Sequence, residues 1–445
     1  MVGTSLRYSK TDNVPSNSTA QLPSRPQSNP IPSFWTSQPQ PLDDHRSTPT
    51  LPPSASIVII GGGFSGIATA YHLLNTPNPP SIVLLEARKI CSGATAMYGL
   101  SAAAELASFE AVNVYAVKEL VEKEGLREEC EFQVTRAVDV YLDEAHARQT
   151  EEAYRELMGC GGVDMRDIAF VSRKDAEKVS GVKGAHCAFS FTAAHLWPLK
   201  FIHGLLRQLL TKGPNVQANT PVTSISPAPD AHGNWTVHTP RGSISTPKVI
   251  YATNAYTCAL LPSYARAITP IRGFCSHIAA PRGSPAPHLV NTYARSYDYL
   301  IPRTDGSIVV GGARQRFWHA PEHWFGTVRD DKVIDEAVSY FDGYMQRHFR
   351  GWEDSGAKTE NVWTGILGYS ADYMPHVGCV PGKPGQFVIA AFNGHGMPQI
   401  LLSTKGLAKM VGKGVPFEET GMPRIFKTTK ERIDRKDSPL EESFR

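Results

Sequence analysis

The chain has 445 residues, 41% of them apolar, which is enough to bury a sizeable core and to form two domains. Its 45 Lys and Arg against 42 Asp and Glu leave a net charge of +3, with the two signs interspersed, which argues against a nucleic-acid partner. No apolar run approaches the ~20 residues a membrane-spanning helix needs, so no membrane partner is expected.

Residues 1–54 hold ten prolines and ten serines and cannot form a core of their own. They are expected to be a disordered leader that ends in a strap, with Phe34 and Trp35 packing it on the main body. The N-terminus lacks the charged-then-apolar pattern of a secretory signal, and Glu442-Ser443-Phe444-Arg445 is not a Ser-Lys-Leu address, so a cytoplasmic location is expected.

From Ala55 the chain reads as strand, loop, helix and strand. The apolar run Ile57-Val58-Ile59-Ile60 precedes Gly61-Gly62-Gly63-Phe64-Ser65-Gly66, and a helical pattern follows over 67–74. The run Ile82-Val83-Leu84-Leu85 then ends in Glu86, twenty residues after Gly66. Together these make the dinucleotide-binding fingerprint. Gly61 permits a tight turn, Gly63 lets the backbone approach a pyrophosphate, and Gly66 lets helix and strand pack closely. The helix start at Phe64 and Ser65 turns free N–H groups and a positive dipole end toward the phosphates. Glu86 is placed to accept hydrogen bonds from ribose hydroxyls.

Farther on, Leu106, Phe109, Val112, Ala116 and Leu120 recur at helical spacing over 105–124, and Gly125 is the stop. Residues 137–142 alternate as a strand, 151–158 read as helical, and a helix follows Trp197-Pro198 and ends at Lys212-Gly213. Residues 222–225 read as a returning strand, and Gly233-Asn234 and Asp305-Gly306 are hairpin signals. Seven scattered cysteines with no C-x-x-C or Cys/His spacing read as reduced thiols, with no metal site. The predicted class is α/β: a Rossmann-like dinucleotide-binding domain from 55–98, 190–258 and 360–412, and a discontinuous sheet-based α+β substrate domain from 126–189 and 259–359. The charged tail, 413–445, is expected to be surface-bound or loose.

Four further segments resemble the FAD-dependent oxidoreductases of the D-amino acid oxidase, glycine oxidase and sarcosine oxidase superfamily. They are Glu86-Ala87-Arg88 with Ser92-Gly93-Ala94-Thr95, Tyr251-Ala252-Thr253-Asn254, Gly365 through Asp372-Tyr373-Met374-Pro375 to Gly378, and Asn393-Gly394-His395-Gly396-Met397-Pro398. The leader and overall pattern look most like fungal-type γ-glutamylputrescine oxidoreductase-like members. The resemblance implies FAD as cofactor. It places 92–95 along the pyrophosphate and ribityl chain, Ala252 to Asn254 and the backbone of Val222 at the adenosine half, and Gly365, Asp372 and 394–397 near the flavin. A helix starting near Pro398 would aim its positive end at the flavin's carbonyl side.

The same resemblance implies oxidation of a C–N bond of an amine or amino acid, with oxygen as the acceptor that restores the flavin. Alternatives are a dehydrogenase of a specialised pathway that uses another acceptor, and a flavin-binding protein with impaired activity. The last arises because relatives continue after Thr95 with Gly-Arg-Asn-Gly-Gly, whereas this chain continues Ala96-Met97-Tyr98-Gly99 and shortens the connection. Relatives that attach flavin covalently use a cysteine or histidine where this chain has Ile366-Leu367 and Ala96-Met97, so non-covalent FAD is expected. Tyr299 and His395 are the catalytic candidates, and Tyr297 and Tyr369 are further candidates for an aromatic wall. The arginine with which amino-acid-oxidising relatives clamp a carboxylate is replaced by Leu367, leaving Arg303 or Arg314 as substitutes or as surface residues.

Overall fold

The structure is a computed structural model. It describes residues 25–27, 29–90, 103–160, 165–281, 283, 290–294 and 298–442. The apolar runs Ile57–Ile60, Ile82–Leu85, Val249–Tyr251 and Gln386–Ala390 are buried on both faces and pair in parallel, with Asn215–Gln217 as a further parallel edge strand. Continuous apolar runs suit a parallel sheet covered on both sides. His376–Cys379 adds an antiparallel sixth strand.

On one face lie the helices Phe64–Leu74, Ala103–Lys123, Pro198–Leu210 and Ile400–Lys413, whose apolar sides share one core with Ile59, Leu84 and Ile389. The other face packs Val58, Val83 and Val388 against Trp235, Val237 and Ile244 of a three-stranded sheet.

A second, eight-stranded sheet is mostly antiparallel and carries the long pair Ile268–Ala279 and Lys358–Ser370 at one edge. The Asp305-Gly306 signal is the turn between Tyr299–Pro302 and Ile308–Gly312. Phe274, Leu300, Ile308 and Val310 from one face of this sheet form a separate core with Phe341, Tyr344 and Trp352. Among the described residues no helix is long and apolar enough to cross a membrane.

Two regions that composition made look loose are tied down. In the tail, Phe417, Met422, Phe426, Ile433 and Leu440 are buried, and the Arg432 guanidinium binds both Asp372 carboxylate oxygens at 2.8 and 2.9 Å as well as the carbonyls of Met374, Pro375 and Lys427. Near the leader, a short turn at Phe34–Thr36 sets Phe34 against His277 (ring centroids 4.0 Å apart), and Trp197 Nε1 donates to the Trp35 carbonyl at 2.8 Å. Arg303 sits over Phe34, Trp35 and Trp197 and binds Glu131 at 2.6 Å.

His195 and His376 are both sealed into this fold. Burial, with the nearby Arg303 charge, pushes His195 down to about 4, and burial with the Arg432 charge pushes His376 down to about 3. The unfolded chain takes up protons at these residues below about pH 6.5, where the folded chain does not. Stability therefore rises with pH between roughly 4 and 6.5 and is lost as pH falls through that window. At pH 5 each histidine should cost on the order of 2 kcal/mol relative to neutral pH. The thermal midpoint should fall between pH 7 and 5, and His376→Gln should make that slope shallower. A midpoint flat across the window would contradict the assignment.

Candidate functional site

Five parallel strands deliver Gly61, Glu86, Ala218, Ala252 and Ala391 to one edge of the six-stranded sheet, because each follows the carboxyl end of its strand. Ligands of such sheets bind at this edge. Gly61 has φ +113°, and a Cβ there would lie 2.4 Å from the Ala252 oxygen. A Cβ on Gly66 would lie 1.9 Å from the Gly61 oxygen, so both glycines are required by the approach of loop, strand and helix. Gly63 differs: its backbone is extended, and a Cβ there would meet no atom of the described residues within 4 Å. Gly63 is the N-cap of the Phe64–Leu74 helix, which has no side-chain cap and no acidic residue in its first turn.

Glu86 turns back onto the loop. One carboxylate oxygen accepts the Gly62 N–H at 2.6 Å and the other the Arg88 N–H at 2.9 Å. Burial raises the carboxyl above its ordinary value, against the pull of those N–H groups and the Arg88 charge. The Glu86 carbonyl accepts the Thr220 N–H, which brings the chain leading to the buried Val222 past the same edge. Ala87 follows half-buried. The Arg88 guanidinium pairs with Asp330 at 2.8 Å, and that aspartate's backbone carbonyl accepts the Ile31 N–H of the strap.

At the neighbouring strand ends, Asn254 Oδ1 accepts the N–H groups of Ala391 and Phe392 at 3.0 and 3.3 Å, and the Thr253 hydroxyl pairs with Thr257. Asn393 Oδ1 accepts the Ser370 N–H at 2.8 Å, and the Asn393 N–H donates to the Gly368 carbonyl. Asn254, Ala391 and Asn393 all have positive φ. Strained backbone of this kind persists where surrounding contacts over-determine it, and it clusters at functional sites.

The 394–397 turn is held from a distance. His395 Nε2 lies 3.1 Å from Glu110, whose other oxygen accepts Gln399 Nε2 at 2.6 Å. Asn113, fully buried, donates to the Met397 carbonyl at 3.1 Å and accepts the Leu402 N–H at 3.0 Å. The last contact caps the Ile400–Lys413 helix from another helix, since Gln399 makes no side-chain cap. That helix starts at Ile400, near the expected Pro398, which lies in the turn before it. Gly394 has φ +72°, and a Cβ on Gly396 would press on Ile400.

Gly365 lies on the eight-stranded sheet directly opposite Gly273. Asp372 does not offer its carboxylate to a ligand. Burial alone would raise it, but the Arg432 fork outweighs burial and holds it below its ordinary value. Tyr299 OH lies 3.0 Å from Cys275 Sγ; burial pushes the phenol well above its ordinary value and the thiol up to about 11. Arg303 has its guanidinium fully buried on Glu131, and the half-buried Arg314 stacks 3.8 Å from the Trp318 ring. Ser92, Gly93, Ala94, Thr95, the Met97-Tyr98 junction and Tyr297 lie outside the described residues.

The sequence profile of the family described as "DAO: FAD dependent oxidoreductase" matches residues 56–410. The chain belongs to this family. It is an FAD-dependent oxidoreductase. It is 23% identical over 376 residues to "Probable oxidoreductase OrdL" of Rhizobium meliloti, covering 78% of this chain and 81% of that one. Its fold matches glycine oxidase from Geobacillus kaustophilus with TM-score 0.67 and 17% identity, covering 81% and 95% of the two chains. It also matches L-amino acid deaminase from Proteus vulgaris with TM-score 0.68 and 16% identity, covering 88% and 99%. The described residues fit the family's cofactor: Gly63, where an added Cβ would meet no described atom within 4 Å, and the uncapped helix start could receive a pyrophosphate, with Glu86 bordering the loop.

Sequence reading did not find Glu110, Asn113, Asp330 or Arg432. Asn113 left one usable signal, a polar residue on the otherwise apolar stripe of its helix; the others lie far in sequence from the groups they hold. Asn113→Ala should lower stability by about 1–3 kcal/mol, because it strands a buried carbonyl and removes a helix cap. Glu110→Gln, which keeps an oxygen for Gln399, should cost less. Thermal unfolding of the two proteins measures this, and an Asn113→Ala midpoint equal to wild type would refute the clamp.

Proposed function

We propose that this family member oxidises the C–N bond of an amine or amino acid, with oxygen as terminal electron acceptor. The observation that supports it best is the pairing of Gly63, where an added Cβ would meet no atom of the described residues within 4 Å, with a second wall. Gly368 carries the eight-stranded sheet up to Asn254 and Asn393, so one face of that sheet stands beside the turn 393–397. The names of the relatives, glycine oxidase and L-amino acid deaminase, agree with a substrate bearing nitrogen next to the reacting carbon. Bound FAD supplies the acceptor for two electrons and a proton, taken as hydride from the carbon while nitrogen loses its own proton, leaving an imine for water to hydrolyse.

The protein's share is placement. Gly61, Gly63 and Gly66 admit the pyrophosphate, with the N–H groups of Phe64 and Ser65 toward it, and Glu86 fixes the loop and meets the ribose. Ala252, Thr253, Asn254, Val222, Ala87 and Arg88 border the adenosine side. Asn393, Gly394, His395, Gly396 and Met397 form the turn nearest the reacting end, with Gly365 and Tyr299 across from it. His395, engaged by Glu110, acts as a positioning residue for that turn.

Anaerobic addition of a panel of amines and amino acids should bleach the flavin bands, and admitting oxygen should restore them with release of hydrogen peroxide. A flavin that no member of the panel reduces would overturn the reading. A reduced flavin that oxygen leaves unchanged while an artificial acceptor oxidises it would overturn the oxygen assignment.

The cofactor should also be dissociable, so acid or heat denaturation should leave free FAD in the supernatant; flavin retained on the precipitated chain would contradict this. Gly63→Val is the sharper test of the cradle. Because no described residue comes within 4 Å of a Cβ at Gly63, the variant should fold with wild-type circular dichroism yet bind FAD at least tenfold more weakly, at a cost of about 1.4 kcal/mol or more. Gel filtration that still yields fully yellow Gly63→Val protein would remove Gly63 from the site.

A further inference from the structure

The leader meets the carboxyl-end edge of the parallel sheet twice. In one pass, Arg46 bridges to Gln217 of the edge strand, and its guanidinium donates to the carbonyls of Ala218 and Asn219, each at 3.2 Å. The His45 carbonyl accepts the Ala218 N–H, Asp44 accepts Asn219 Nδ2 at 2.7 Å, and the Asp43 carbonyl accepts the Ile90 N–H. Toward the N-terminus the chain visits Trp197 and His277 through Phe34 and Trp35, then returns for a second pass. There the Ile31 N–H donates to the Asp330 carbonyl at 2.8 Å, and the Gln27 carbonyl accepts Arg88 Nη1 at 3.3 Å. Arg25 donates to the Thr223 carbonyl at 2.7 Å.

The three groups that receive the second pass belong together. Arg88 follows Glu86, whose carboxylate holds the glycine loop, and Thr223 follows the buried Val222. Asp330 pairs with the same Arg88 nitrogen that reaches Gln27. The Thr220 N–H on the Glu86 carbonyl and the Asn219 N–H on the Arg88 carbonyl bind these segments to one another. Arg25 and Asn29 are exposed while the side chains of Arg88 and Asp330 are largely covered, so the second pass is the outer layer. The other Asp330 carboxylate oxygen is buried and has no donor among the described residues, a polar group that the protein leaves unmet. The leader precedes residues 56–410, which the family profile matches, so this layer stands outside the matched part of the chain.

Resting on the placement of the adenosine half beside Val222, Ala87 and Arg88, we propose that residues 25–27 and 29–31 of the leader are an outer wall of the FAD site and hold its adenosine end. A dinucleotide seated at this rim meets the leader as well as the sheet edge. It leaves when Arg25 lets go of Thr223 and Ile31 lets go of Asp330. Each fastening is one hydrogen bond, worth a modest net amount against water, so the wall opens without unfolding the sheet behind it. Arg25 and Ile31 act as positioning residues, since neither is placed at the reacting end.

The test is the rate at which the FAD-loaded full chain gives up its cofactor, read as the rise in flavin fluorescence after dilution. Arg25→Ala combined with Ile31→Pro removes both donors and should speed release about fivefold or more, the effect of one ordinary hydrogen bond. Asp167→Ala breaks contacts to Arg136 and Thr192 in the eight-stranded sheet and should release FAD at the wild-type rate. A wild-type rate in the double variant, or an equal acceleration by Asp167→Ala, would overturn the proposal. On the unaltered chain, hydrogen exchange at the Ile31 amide should slow when FAD is added to the apoprotein. Equal exchange with and without FAD would overturn the wall as well, and decides the matter should the double variant fail to fold. Gly63→Val keeps the wall apart from the cradle. FAD that stays on Gly63→Val while the double variant sheds it faster leaves the wall standing and removes the glycine loop from the site.

Discussion

The contact between Gly61 and Gly66 is the constraint on which the candidate site depends. With a Cβ on Gly66 only 1.9 Å from the Gly61 oxygen, any side chain there would push the helix Phe64–Leu74 off the strand it follows. That helix would then lose its place in the core with Ile59 and Leu84, and its N-terminus would no longer point across the strand ends. Glu86 reinforces the contact by drawing the Gly62 N–H onto its carboxylate. Loop shape and helix direction are thus one structural fact. Substitution at Gly63 should change ligand binding, and substitution at Gly66 should change folding.

Around this core the chain uses long-range polar contacts to hold backbone that hydrophobic packing alone would leave free. Asn254 and Asn393 bind main-chain groups of neighbouring loops, so the strained conformations at Ala391 and Asn393 are held from several sides. Glu110 and Asn113, one helical turn apart, do the same for the turn 395–399 and for the start of the helix behind it. Such networks are costly to break by single substitutions, because each removal leaves a buried donor or acceptor without a partner.

Two buried ion pairs fasten peripheral segments to the body. Arg88 and Asp330 join the dinucleotide edge to a loop of the other sheet, and the Ile31 N–H ties the strap to the same aspartate backbone. Arg303 and Glu131 sit beside the Phe34, Trp35 and Trp197 rings, where the planar guanidinium can stack as well as pair. A buried pair of this sort adds little net stability over an apolar replacement, but losing one partner is expensive, about 3–5 kcal/mol. Arg303, one of the arginines that looked available for a substrate, is therefore structural.

The local parts of the fold could be read directly from sequence. The fingerprint over 57–86 rests on short-range rules, in which apolar runs become buried strands, glycines permit close approach, and an acid ends the second strand. The helix predicted over 105–124 appears as Ala103–Lys123, and the turn at Asp305-Gly306 joins the strands expected on either side. What tertiary structure alone decided is which polar side chains are already engaged. Asp372 was legible as a motif residue but not as the partner of Arg432, sixty residues away in a tail whose composition suggests looseness. His395 was legible as a turn histidine but not as the partner of Glu110, 285 residues earlier. Periodicity and propensity describe neighbours along the chain; the pairing of distant charges depends on where whole sheets and helices come to rest, and only packing sets that.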